Sequence, residues 1–206
     1  MKKDSAGALP HAAITQEAAR KGIHLTSAAV PVGLALGVSR GTVFVVLATL
    51  FTIALVVEMA RRTSAAAASR FMRLFAPLLR AHESQSVTGA TWLLGAMLAA
   101  VAILPRDAAI AATWAVAIGD ASAALIGIRF GRHRPRESGK SFEGSAACAI
   151  TTTLGALLLA RLSLAESLML GVIAAVAERA TWPADDNARI VALVGASAWL
   201  WSVVLY

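Results

Sequence analysis

A single aspartate, Asp120, lies inside a long apolar run of the sequence and is flanked by the small residues Gly119, Ala121 and Ser122. A carboxylate at the centre of a membrane helix costs about 2.5 to 3.5 kcal/mol on insertion scales, so it persists where a cation, a polar partner or water receives it. Small neighbours let a second helix or a ligand approach closely. An arginine that neutralises Asp120 within a helical bundle would explain the pattern without a function. We interpret Asp120 as a metal ligand or a proton acceptor.

The loop that follows this run combines glycines with a dense cluster of cations. Backbone amides at a helix N-terminus, together with Lys and Arg side chains, favour phosphate groups. Cytoplasmic loops are basic in any case, but topology does not require glycines at this spacing or Glu143 close to Lys140. A Walker loop is excluded, because its first glycine would fall on Arg134. The candidate phosphate-binding residues of the loop are Gly127, Gly131, Arg132, Lys140, Ser141 and Gly144.

Further polar clusters border other apolar runs. They are Arg20, Lys21 and His24; Glu58 and Arg61; and Glu178 with Asp185, Asp186 and Asn187. Each cluster alone is explained by charged side chains at a membrane interface. Together with Asp120, the carboxylates of Glu178, Asp185 and Asp186 provide the hard oxygen ligands that Mg²⁺ prefers. The single cysteine, Cys148, excludes a disulfide framework and a cysteine-based metal site.

The elements that position these residues must be membrane helices. The chain has 206 residues, of which 58% are hydrophobic, and its charges lie in short clusters between apolar runs. A soluble domain of this length has too little interior for so much apolar surface. The runs are too long and too uniformly apolar for the strands of a barrel, so we predict an all-α bundle. The net charge of +7 flanks these runs, which favours membrane topology over nucleic-acid binding.

We predict about seven spans, at 23–39, 42–58, 88–104, 108–128, 145–161, 166–178 and 189–206. Every Lys and Arg except Arg40, Arg106 and Arg161 then lies on one side, which the positive-inside rule assigns to the cytoplasm. This orientation places the N-terminus inside and the C-terminus outside. Residues 1–19 form a polar tail without a signal peptide, and residues 20–206 form one transmembrane catalytic domain. The connection from Arg62 to Arg80 has the pattern of an amphipathic helix in the headgroup region, either an anchor or a gate for lipid.

The chain resembles the CTP-dependent lipid-alcohol kinases, the group that includes dolichol kinase, phytol kinase and the yeast-type diacylglycerol kinase. The likeness covers roughly residues 20 to 190. It consists of Arg20-Lys21-x-x-His24, Glu58, Gly119-Asp120-Ala121-x-Ala123-Ala124-x-x-Gly127-x-x-Phe130-Gly131, Lys140-Ser141-x-Glu143-Gly144-Ser145, Glu178 and Asp186-Asn187. It implies transfer of the γ-phosphate of CTP to a long-chain alcohol at the cytoplasmic face of the inner membrane. Many members of the family have additional spans, so the acceptor is left open among a polyprenol, a phytol-like alcohol and a diacylglycerol.

The resulting hypothesis assigns CTP as co-substrate and Mg²⁺ as cofactor. Lys140, Ser141 and Gly144 engage phosphates, and either Asp120 or Glu143 accepts the proton of the alcohol. Asp120 holds the metal with one or more of Glu178, Asp185 and Asp186. Further site candidates are Arg20, Lys21, His24, Glu58, Arg61 and Asn187. A homodimer is left open, and two other functions are kept: a CTP-dependent phospholipid cytidylyltransferase and a small ion- or proton-coupled transporter.

Overall fold

The computed structural model of the protein describes residues 11–135, 139–180 and 185–205, and throughout these ranges it is helical and without strands. The helices are α1 His11–Thr26, α2 Ala29–Ala35, α3 Arg40–Thr63, α4 Ala65–Phe75, α5 Gly89–Ile103, α6 Arg106–Trp114, α7 Asp120–Phe130, α8 Phe142–Leu158, α9 Leu164–Arg179 and α10 Asp186–Leu205. Short 3₁₀ turns at Ala76–Leu78 and Ala81–Ser84 connect α4 with α5. A π-helical turn, Ala115–Gly119, joins α6 and α7 into one rod.

Three stretches of the described chain are long and apolar enough to cross a membrane. They are Arg40–Thr63, Arg106–Phe130 and Asp186–Val204. Gly89–Ile103 and Phe142–Leu158 are apolar as well but shorter, at 15 and 17 residues. The predicted all-helical class is confirmed for the described residues, and the chain has the character of a membrane protein.

The central rod of the bundle is built mainly from small side chains, and the exterior carries many large ones. The α6 rod lies at the centre, where the residues from Ala108 to Ala112 are almost completely buried. The outer helix α3 instead exposes large apolar side chains such as Val45, Ile53 and Val56. Small residues inside allow close helix packing without the help of water. Exposed aliphatic side chains of this density are favourable where lipid, and not water, surrounds the helix.

The predicted span 23–39 is divided in the structure. α1 ends at Thr26, and α2 is only seven residues long. Pro31 has no amide hydrogen to donate to Ser27, whose carbonyl instead accepts from Val30 at 3.0 Å. Gly37 then adopts a left-handed φ of +96° and ends α2 before Ser39 caps α3. Proline and glycine therefore break the apolar run that the sequence analysis treated as continuous.

The connection between α3 and α5 contains the amphipathic helix that the sequence pattern predicted. α4 has no buried residue, and its first turn is capped by Ser64. Its Phe71 and Phe75 rings lie 5.0 Å apart, and the Arg61 guanidinium is 5.1 Å from the Phe71 ring. This cation–π contact fastens α4 to the end of α3.

Glycines set the distance between α7 and α8. A Cβ atom added to Gly144 would lie 2.5 Å from the carbonyl oxygen of Ala123, and one added to Gly119 would lie 2.6 Å from Thr152 Oγ1. Backbone atoms cannot yield as a flexible side chain can. The two helices are therefore close because these positions have no side chain.

Replacing Gly144 with alanine is expected to destabilise the bundle by about 1 to 3 kcal/mol, because α8 must move away from the Ala123 carbonyl. Gly41→Ala is the matched control, since the nearest atom to its added methyl group is Ser39 Oγ at 3.9 Å. Thermal unfolding of the purified protein in detergent measures both variants. Equal midpoints for the two variants would contradict the packing role of Gly144.

Candidate functional site

The centre of the candidate site is a buried ion pair between Lys21 of α1 and Asp120 of α7. Each residue is 4% exposed, and the Lys21 ammonium donates directly to Asp120 Oδ2. His24 lies one turn further along α1, with its Nε2 atom 3.9 Å from the same carboxylate oxygen. α1 therefore contributes both a lysine and a histidine to the surroundings of Asp120.

The π-helical turn lies directly before Asp120. His24 Nε2 lies 2.7 Å from the carbonyl oxygen of Val116, which belongs to this turn, so the ring donates through its Nε2 hydrogen. A π turn interrupts the regular hydrogen-bond ladder of a helix, and such turns are frequent at functional sites. Here the turn lets a side chain from α1 bind a backbone carbonyl within the central rod, and it sets the position at which α7 presents Asp120.

A second lysine, Lys140, joins the ends of two other helices. Its Nζ atom is 3.2 Å from Glu178 Oε1 and 3.2 Å from Asp186 Oδ2, and it also donates to the Glu178 carbonyl oxygen. It thus lies between the last turn of α9 and the first turn of α10. Burial alone would lower the pKa of Lys140, but the carboxylates of Glu178, Asp186 and Asp120 raise it above its ordinary value. We call these two lysine–carboxylate groups together, namely Lys21, Asp120, Lys140, Glu178 and Asp186, the charged cluster.

Ser145, which belongs to the motif of the resemblance, and two arginines that were not site candidates, Arg179 and Arg189, support this cluster. Ser145 Oγ is 3.2 Å from Glu178 Oε2 and accepts from Arg179 at 3.3 Å. Arg189, in the first turn of α10, donates to Asp186 Oδ1 at 2.7 Å and to the Ala177 carbonyl at 2.7 Å. These contacts fix the carboxylates of Glu178 and Asp186. In the sequence, only the proximity of Arg179 and Arg189 to acidic residues indicated such a role.

Two backbone amides at the N-terminus of α8, where the sequence predicts a phosphate site, have acceptors within the chain. Ser141 is the N-cap, and its Oγ accepts from the Gly144 amide at 3.0 Å. The Phe142 amide donates to the His133 carbonyl at 3.0 Å. The structure therefore gives Ser141 a capping role, and the phosphate contacts of Ser141 and Gly144 stay a prediction.

Of the remaining loop candidates, Gly127 and Gly131 lie in close contact with neighbouring atoms, whereas Arg132 is exposed. A Cβ atom on Gly131 would lie 2.3 Å from the Gly127 carbonyl, and one on Gly127 would lie 3.0 Å from Ser141 Oγ. Arg134 donates to that same Gly127 carbonyl and, at 3.0 Å, to the Gly139 carbonyl, so it holds the loop against the end of α7. Arg132 has an exposed side chain. Among these candidates, Arg132 is the cation most accessible to a phosphate from solvent.

Glu143 lies at the edge of the site. Its Oε1 is 2.7 Å from His133 Nδ1 and accepts from the His133 amide at 3.3 Å. The hydrogen bond from the His133 side chain lowers the pKa of Glu143 to about 2. In the described part of the chain no contact joins Glu143 to Asp120 or Lys140. The structure therefore places Glu143 in the loop, apart from the charged cluster.

Glu58 and Arg61 form a separate buried pair that fixes the segment before α5. Glu58 accepts from Arg61 Nε at 2.8 Å, from the Thr88 amide at 2.9 Å and from Thr91 Oγ1 at 3.3 Å. Arg61 also donates to the carbonyl oxygens of Ser84 and Ser86. These bonds satisfy both carboxylate oxygens, so this pair fastens the connection to α3.

Replacing Arg61 with leucine is expected to destabilise the protein by about 3 to 5 kcal/mol, because the buried Glu58 charge loses its partner. Arg62 is a control from the next position. Its side chain is 48% exposed and 3.6 Å from Glu58, so Arg62→Leu should cost less than about 1 kcal/mol. Unfolding in detergent measures the loss of stability in each variant. Similar losses in the two variants would show that the contribution of the Glu58–Arg61 pair does not depend on its burial.

The other predicted residues lie around these groups. Asn187 donates to the Gly89 carbonyl at 3.1 Å, and its own amide donates to Asp185 Oδ1 at 2.9 Å. Burial, together with the neighbouring Asp186, raises the pKa of Asp185. Arg20 NH1 is 3.2 Å from Glu17. Glu83, which was not a candidate, is 3% exposed and accepts from the amides of Arg80 and Gly89.

The donor chemistry suits Mg²⁺, but lysines hold the relevant oxygens. Among the described residues, no three His, Cys, Asp or Glu side chains are arranged to hold a metal ion. Asp120 faces Lys21, and Glu178 and Asp186 share Lys140. Carboxylate oxygens are the ligands that Mg²⁺ prefers. The set therefore fits the ion if the ammonium groups withdraw from the carboxylates.

Comparison with known proteins gives no relative for this chain: no protein-family model, curated protein or solved structure matches it.

Proposed function

We propose that this protein is an integral membrane kinase that transfers the γ-phosphate of CTP to a long-chain alcohol. In this proposal the chain crosses the inner membrane about seven times, with its N-terminus and the charged cluster at the cytoplasmic side. The observation that carries the proposal is the presence of two lysine–carboxylate groups, the buried pair of Lys21 with Asp120 and the partly buried Lys140 with Glu178 and Asp186. Buried ion pairs contribute little to stability compared with apolar packing, so their presence favours a functional role.

The charge balance of the cluster suits a metal-chelated triphosphate. When the nucleotide binds, the ammonium groups of Lys21 and Lys140 transfer from the carboxylates to phosphate oxygens. Asp120 and Glu178 are the carboxylates that would hold Mg²⁺, and the ion would supply positive charge against the phosphates. Asp186 stays bound to Arg189 and keeps the start of α10 in place. Phosphoryl transfer depends chiefly on positioning and charge neutralisation, which these groups supply.

In the reaction, the hydroxyl oxygen of the alcohol attacks the γ-phosphorus. A new oxygen–phosphorus bond forms, and the bond between the γ-phosphorus and the β–γ bridging oxygen breaks, so CDP leaves. The hydroxyl proton passes to a carboxylate of the site. Asp120 is better placed for this than Glu143, because Asp120 lies in the charged cluster, whereas Glu143 is bound to His133 in the loop. The remaining loop cation Arg132 is exposed and serves nucleotide entry.

Supplying the purified protein with CTP labelled at either the α- or the γ-phosphate tests the proposal. A kinase moves only the γ label to the lipid and releases CDP. A cytidylyltransferase moves the α label to a phospholipid and releases pyrophosphate, and that outcome would replace the proposed reaction. No transfer from CTP or another nucleotide across a panel of alcohols would contradict the proposal and favour the transporter alternative.

A further inference from the structure

An apolar groove runs along the outside of the bundle between α3, α5 and α10. It encloses about 690 Å³, within the range of pockets for small organic ligands. Small residues of α5, including Gly95, Ala96 and Ala99, form its floor. Two half-exposed tryptophans, Trp92 and Trp199, form part of its walls. The groove therefore exists because the side chains on its floor are small and the rings at its sides are large.

One end of this groove is polar, and it adjoins the charged cluster. Apart from the two indole rings, Thr91 is the one polar side chain in the lining of this described cavity, and its hydroxyl donates to Glu58 at 3.3 Å. One turn away, the Gly89 carbonyl accepts from Asn187. Asn187 directly follows Asp186, which binds Lys140. The polar end of the groove therefore lies at the N-terminal ends of α5 and α10, and α10 begins with Asp186.

The length of the groove matches one leaflet of a bilayer. Its lining on α5 extends from Thr91 to Ile103, which at 1.5 Å per residue is about 18 Å. Half of the hydrocarbon core of a bilayer is about 15 Å. A hydrocarbon chain of one leaflet would therefore fill the groove from its polar end to the bilayer midplane, whereas an amphipathic peptide would need polar partners that the lining does not provide.

From these observations we infer that the groove binds the hydrocarbon chain of a single-chain lipid alcohol, with the hydroxyl end beside Thr91 and Asn187. The inference rests on the proposed kinase function for the identity of the alcohol. It adds the place of the substrate chain and a reason for preferring one long chain to two. It also assigns α3 and α5, which contribute no residue to the charged cluster, to substrate selection together with α10.

Photolabelling tests the groove without nucleotide or turnover. A long-chain alcohol with a diazirine at its chain end is expected to label residues near Ile103 and Trp199, and a diazirine beside the hydroxyl is expected to label residues near Thr91 and Ala188. Labelling spread evenly over the exposed faces of the helices would overturn the inference. Absence of labelling in the groove of a protein that light scattering shows to be a dimer would also overturn it, because a second copy of the chain would then cover the groove.

Two substitutions narrow the groove without disturbing the packed core. Ala99 and Ala192 are exposed within it, so Ala99→Leu and Ala192→Leu add volume only to the cavity. Ala102→Leu is the matched control, because Ala102 is exposed on the same helix but lies outside the lining. Each groove variant is expected to reduce photolabelling and to raise the KM for the longest alcohols by about tenfold or more, because one methylene group in an apolar pocket already has about this effect and leucine adds three carbons to alanine. Ala102→Leu should change neither.

Failure of the groove assignment and failure of the proposed kinase function give different experimental results. Labelling of the groove without phosphate transfer would retain the chain-binding site and overturn the kinase function. Phosphate transfer with alcohol dependence unchanged in Ala99→Leu and Ala192→Leu would retain the kinase and overturn the groove assignment.

Discussion

The double variant Lys21→Gln/Asp120→Asn is expected to fold like the wild type and to lose phosphate transfer by a factor of about 10² to 10³ or more. The two neutral amides can still form a hydrogen bond between α1 and α7, so the contact between the helices survives. What is lost is the cation for the phosphates and the carboxylate for the metal. Thermal unfolding in detergent and transfer of labelled γ-phosphate measure the two expectations separately.

The single variant Asp120→Asn is expected to be less stable than the double variant. Asp120→Asn alone leaves the Lys21 ammonium buried at 4% exposure without its partner, which is expected to cost about 3 to 5 kcal/mol of stability. A neutralised surface pair, Glu17→Gln/Arg80→Gln, is the control for the double change, because these side chains lie 3.5 Å apart and are partly exposed. Turnover of the Lys21→Gln/Asp120→Asn protein near the wild-type rate would remove the charged cluster from the mechanism.

Replacing Lys140 with glutamine is expected to have the second largest effect. Lys140 is held by Glu178 and Asp186 at 3.2 Å each, and we propose that it transfers to the phosphates. Loss of one such donor costs about 10² to 10³ in turnover. The KM for CTP should rise, while the KM for the alcohol stays the same, because the lipid chain lies elsewhere in the proposed arrangement. Steady-state kinetics with each substrate varied in turn measure the two KM values separately.

Arg129→Gln is the control for the loss of a cation near the same loop. Arg129 is exposed in the last turn of α7 and lies outside the charged cluster. We expect its KM values and turnover to remain close to those of the wild type. A Lys140→Gln protein that loses stability but keeps both KM values per folded molecule would limit Lys140 to a structural role between α9 and α10.

The sequence was sufficient to predict the helical class and to place Lys140 and Glu178 at the same end of the bundle. Both predictions depended on the separation of apolar runs from charges, which determines the ends at which charged residues can meet. The break in the first predicted span was less visible, since hydropathy alone does not distinguish a continuous helix from one divided at Pro31 and Gly37. Both residues were present in the sequence, and their backbone chemistry decides the outcome.

Tertiary contacts account for what sequence reasoning missed. Lys21 was recognised as a site candidate, but its pairing with Asp120 depends on the packing of α1 against α7. No residue propensity indicates the π turn before Asp120. The glycines of the loop were interpreted as openings for phosphate, whereas Gly127, Gly131 and Gly144 lie where another part of the chain approaches closely. A missing side chain serves a ligand and a neighbouring helix equally well, so only the fold separates the two uses.

Equilibrium binding of CTP to the purified protein, with and without Mg²⁺, tests the central claim most directly. If the charged cluster receives a metal-chelated triphosphate, the wild type binds CTP tightly only when Mg²⁺ is present, and Lys21→Gln/Asp120→Asn binds it weakly under both conditions. Binding of equal strength to the wild type and the double variant, or no binding to either folded protein, would contradict the account.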